Sequence, residues 1–166
     1  MTKRRRAFRD SFGGVAAFVA SVLLAAGAGA QDYSALDRTL GKANPSAELV
    51  ANFNELVSAA ANVGAVPPTE SDRAAADAVR ATLQDPGALA RAKDPTARTA
   101  AQSGAEFQQI PGAAAKLDQA IGSRLSADAR KGMSTDFTAV AEYMAIVSPG
   151  SNWYCQIRPL GALVGC

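Results

Sequence analysis

Histidine is absent from all 166 residues. That one absence removes every His-based catalytic triad, the usual zinc sites and the commonest haem ligand. Cysteine is nearly as scarce, with Cys155 and Cys166 the only two; once paired they leave no thiolate for catalysis or metal binding. No phosphate loop, dinucleotide fingerprint or calcium loop occurs, and no serine has an identifiable base. Runs of alternating apolar and polar residues are missing, which argues against strands, and no repeat of solenoid length is visible. These absences together predict a protein that is not an enzyme and carries no resident cofactor or metal.

What is present begins with the N-terminus. Lys3, Arg4, Arg5 and Arg6 form a basic region, Gly13 to Gly27 is free of charge, and Ala28-Gly29-Ala30 is a small-x-small cleavage motif before Gln31. This pattern predicts an export signal over residues 1–30 that is removed, with no transmembrane span left afterwards. Arg5-Arg6-Ala7-Phe8 resembles the core of a twin-arginine motif, so the twin-arginine route and general Sec export both stand. Five of the 17 basic residues but only Asp10 of the 15 acidic ones lie in this segment, so cleavage leaves 12 basic and 14 acidic residues, a net charge of about −2. The basic character of the whole chain belongs to the signal, and no nucleic-acid footprint remains. The expected setting is secreted, periplasmic or cell-wall associated.

The remaining chain is Ala-rich, and helix is expected nearly throughout. Asn44-Pro45 supplies an N-cap and a first-turn proline, and Leu49, Phe53, Leu56, Ala60 and Val63 step by four and three until Gly64 and Pro67-Pro68 end the helix. Thr69-Glu70-Ser71-Asp72 opens a second helix with Ala76, Val79 and Leu83 on one side, while Arg73, Asp77 and Arg80 form ion pairs on another. Asp85-Pro86-Gly87 starts a short turn of helix. Asp94-Pro95 starts a segment that runs to about Gln109, and Pro111-Gly112 should bend or restart it before Leu117, Ile121 and Leu125. Ser126 caps the strongest helix, whose seam of Met133, Phe137, Val140, Met144 and Val147 calls for partner helices. The fold class predicted is all-α: a compact bundle of four or five helices over residues 31–147, followed by an irregular tail over 148–166.

Oxidising conditions outside the cytoplasm predict a Cys155–Cys166 disulfide closing that tail. The tail holds the single tryptophan, and Trp153, Tyr154, Ile157 and Leu160 make it too apolar to stand uncovered. Two explanations remain open: the tail packs over the bundle with Trp153 as anchor, or it forms a recognition patch. Tyr143 and Met144, adjacent on the strongest helix, add a phenol and a thioether that could contact haem. Glu48 and Glu55, seven apart on one helix face, read as solvated charges rather than as an acid–base pair.

The export signal, the Ala-rich helical body with Gln109-Ile110-Pro111-Gly112-Ala113-Ala114, and the lone cysteine pair together resemble the small secreted haemophore-like proteins of high-GC bacteria. Ser148-Pro149 with Asn152-Trp153 and Cys155 is similar to a short stretch of helical cell-wall porins. The chain departs from both: it has no His for a haem site, and its Asn-Trp segment stands near the C-terminus. The resemblance implies an envelope or extracellular setting. The first expectation for function is a non-catalytic binding protein that engages an envelope protein through its apolar C-terminal surface. A carrier of haem, lipid or another apolar small molecule is the alternative, and an oligomeric pore is a second. The sequence leaves oligomeric state undecided.

Overall fold

Local capping chemistry explains five of the helix starts in the computed structural model, which describes residues 32–64, 66–122 and 124–166. The predicted export segment and its cleavage site lie outside the described residues. Helix α1 is Ser34–Leu40, α2 Pro45–Val63, α3 Glu70–Gln84, α4 Pro86–Lys93, α5 Pro95–Gln102, α6 Ala105–Ile121, α7 Ala127–Val147, α8 Trp153–Gln156 and α9 Arg158–Val164. No strand occurs among the described residues, so the fold is all-α. Asn44, Thr69, Asp85, Asp94 and Ser126 each accept a backbone N–H of the helix they begin, as their positions predict. Proline follows directly in α2, α4 and α5, where its missing N–H costs nothing.

The apolar stripes define the core. Leu49, Phe53, Leu56 and Ala60 of α2, Ala76, Val79 and Leu83 of α3, and Phe107, Ile110, Leu117 and Ile121 of α6 are all buried. Each large side chain removed from water contributes about 1.5–3 kcal/mol. On the outer face of α3, Arg80 pairs with Asp77 at 2.6 Å and also donates to Asn54 Oδ1.

Three features depart from the sequence expectation. The helix that was to run from Asp94 to about Gln109 instead breaks at Ser103-Gly104, and α6 then passes through Pro111 without a break. An interior proline forfeits one ladder bond and typically costs about 3 kcal/mol. Ile110, Ala113 and Ala114, buried on either side of it, offset that cost and hold α6 in one piece. Helix α7 is not a one-faced helix either: Ala139 to Ile146 are buried all the way round, because α1, α2, α4, α5 and α6 all pack on it. The C-terminal tail, expected to be irregular, forms α8 and α9, with α9 against α2 and α6. Gly150 (φ 77°) and Asn152 (φ 44°) turn the chain back toward the bundle through left-handed conformations. The disulfide Cys155–Cys166 closes this tail.

Candidate functional site

The predicted recognition residues are part of the core. Trp153, Tyr154, Ile157 and Leu160 are 2%, 4%, 1% and 0% exposed. The Trp153 ring lies edge-on to Phe53 at 5.7 Å and to Tyr154 at 5.4 Å, and tilted over Phe137 at 6.0 Å. An apolar tail needs a cover, and here the cover is the chain's own α2, α6 and α7. Of the two explanations left open by the sequence, the packing one describes these four side chains.

The α3 N-terminus fastens the tail. Asp72, 2% exposed, forms a capping box with Thr69 and accepts the Arg158 backbone N–H at 2.9 Å and its Nε at 3.3 Å. Burial alone would raise its pKa. The hydrogen bonds from Thr69 and Arg158 outweigh that and hold the carboxyl well below the usual carboxylate range.

Tyr143 and Met144 are buried as well. The Tyr143 hydroxyl donates to the Thr82 carbonyl at 3.4 Å. Burial, with the Asp85 charge added, pushes this phenol up to about 12. Neither residue lines the α5–α6–α7 groove described below. Among the described residues no group of three or more His, Cys, Asp or Glu is placed to hold a metal ion. Glu48 and Glu55 do gain a neighbour: Asp136 of α7 is half-buried beside them. Its carboxyl is pushed up to about 6 by burial first and then by the charges of Glu55 and Glu48.

What the sequence did not disclose is a groove of about 310 Å³ at the junction of α5, α6 and α7. Ala97, Ala100 and Ala101 form one wall, Phe107 and Ile146 the floor, and Pro149-Gly150 one rim. Small side chains leave the space, and large buried ones make its base apolar. Arg91 stands at the edge, exposed. Glu106, also on the lining, accepts the Gly150 N–H with one oxygen, while its other oxygen is buried without a partner. Two other surface depressions of similar or larger size carry a larger polar share in their linings, from Gln108, Gln109, Lys116 and Asn152 in one and Asn44, Ser46, Asn54 and Gln84 in the other. The α5–α6–α7 groove joins mostly apolar walls and few polar groups to a volume at the low end of the usual small-molecule range of about 300–1,000 Å³, whereas an apolar depression lined by Val57, Ala76 and Ile157 holds only about 130 Å³.

No family model, curated protein or solved structure matches this chain.

Proposed function

We propose that this chain is a non-catalytic binding protein of an exported compartment, and that it takes a small apolar ligand in the groove between α5, α6 and α7. The observation that carries this reading is the composition of that groove: an apolar floor of Phe107 and Ile146 under a wall of alanines, with Arg91 at the mouth. The export motif at the N-terminus supports an extracytoplasmic setting, and the Cys155–Cys166 bond is compatible with it. A partner surface built on Trp153 lacks support because that residue fills the core. A pore would require helices to turn their apolar faces outward. Those faces pack inward, and among the described residues no helix is long and apolar enough to cross a membrane.

Titration with 1-anilinonaphthalene-8-sulfonate tests the reading, since the dye offers an apolar aromatic body for the floor and a sulfonate for Arg91. One-to-one binding with a rise in fluorescence is expected. Ala100→Phe, which fills the groove from an exposed helix position, should weaken it at least tenfold. Unchanged dye affinity in a folded Ala100→Phe variant would reject the site.

A further inference from the structure

Glu142 sits in the middle of the buried stretch of α7, where every neighbour from Ala139 to Ile146 is apolar, and is itself only 1% exposed. Its Oε2 accepts the Leu36 N–H at 3.0 Å. That N–H belongs to the first turn of α1, a helix whose own N-cap residue, Tyr33, gives it no side-chain cap. A carboxyl of α7 therefore caps α1 from across the core. Helix α5 provides a second fastening. Arg98 Nη1 pairs with Asp37 at 2.8 Å, its guanidinium covers the Tyr33 ring at 4.9 Å, and the Tyr33 hydroxyl donates to the Arg98 carbonyl at 2.6 Å. The Tyr33 ring rests on Phe107 at 4.9 Å.

We infer that α1 is a latch whose docking on α7 is governed by the protonation of Glu142: it is held while the carboxyl is neutral and released as the carboxyl ionises. Docking strips water from Glu142 and, among the described residues, returns one N–H, which is far short of what an anion loses. The charged groups facing it make the balance worse. Asp32 and Asp37 on the α1 side repel an anion, the Tyr33 phenol brings no positive charge, and the facing cation, Arg98, is already paired with Asp37. A seven-residue helix is not stable on its own, so release means local melting of Ser34–Leu40 while the rest of the bundle stays folded. Release would also bare Phe107, whose ring floors the groove; that consequence rests on the ligand reading, whereas the latch does not.

The sign follows from the thermodynamics of a buried acid. Burial chiefly, with Asp32 and Asp37 adding and the Leu36 N–H and Arg98 opposing, pushes the Glu142 carboxyl from 4.5 up to about 7. A carboxyl harder to ionise when docked than when hydrated favours docking fully below pH 4.5. That advantage declines as pH rises and levels off above about pH 7, having fallen about 300-fold.

Amide hydrogen exchange on the full chain, corrected for intrinsic rates, tests this between pH 5 and pH 8. Protection of the amides from Leu36 to Leu40 is expected to fall about 70-fold over that range while that of Leu117 in α6 changes little. In Glu142→Gln, which keeps an acceptor for Leu36 but cannot ionise, α1 protection should be flat. A parallel fall in α1 and α6 would show that the charge acts on the whole domain and would overturn the latch. So would an equally steep fall in Glu142→Gln. If that variant does not fold, the comparison of α1 with α6 in the unaltered chain still decides.

Discussion

Replacing Trp153 with alanine separates a core residue from a recognition residue, because the two roles predict opposite stability effects. The indole is 2% exposed and touches the rings of Phe53, Phe137 and Tyr154. Truncating a buried tryptophan costs about 3–5 kcal/mol through lost transfer energy and the cavity left behind. One local term acts in the other direction: the Trp153 Nε1–H is buried with no acceptor. Deleting an unsatisfied donor returns part of its desolvation cost, about 1–3 kcal/mol. The net loss should therefore lie near the low end, about 3 kcal/mol. For a chain of this length that is a fall in Tm of about 10 °C. Trp153→Phe keeps most of the ring contact and removes the orphan donor, so it should cost less than about 1.5 kcal/mol. Urea unfolding followed by far-UV circular dichroism measures both, which is needed because the substitution removes the chain's single tryptophan fluorophore. A loss below about 1 kcal/mol in Trp153→Ala would refute the packing argument and return the tail to the surface.

Two further substitutions probe how the tail is held. Asp72→Ala removes the α3 capping box and the anchor for Arg158 together and should cost about 3 kcal/mol by denaturant unfolding. Because the Asp72 pKa is held low in the folded chain, its stabilisation is complete above about pH 4 and is lost as pH falls further, so Asp72→Asn should flatten the acid limb of a stability–pH curve. Joint replacement of Cys155 and Cys166 with serine opens a loop with a sequence separation of 11 and should cost about 3 kcal/mol in the chain-entropy model, read as a lower urea midpoint.

Features decided within one turn of helix could be read from the sequence alone; features decided by what packs from elsewhere could not. Asn44, Thr69, Asp85, Asp94 and Ser126 cap because a short oxygen-bearing side chain reaches the N–H groups two or three residues ahead, and nothing remote can alter that. Pro111 carries the same kind of local signal, yet it does not break the helix: buried contacts along α6 outweigh one missing hydrogen bond, and the break lies at Ser103-Gly104 instead. The four-and-three steps of α7 gave its first apolar face correctly, but the burial of its remaining faces depends on five other helices. The groove was illegible for a related reason, since it is space left by alanines of α5 above residues of α6 and α7, and a run of alanines reads only as helix. Glu142 did leave a trace: it is the one charge within Ala139-Val140-Ala141-Glu142-Tyr143-Met144-Ala145-Ile146-Val147. A carboxylate in such a run is either turned to water or paid for by a specific donor. With α1 seated on α7 the carboxyl is withdrawn almost wholly from water and its donor among the described residues is one backbone N–H, so the docking of α1 and the ionisation of Glu142 oppose each other.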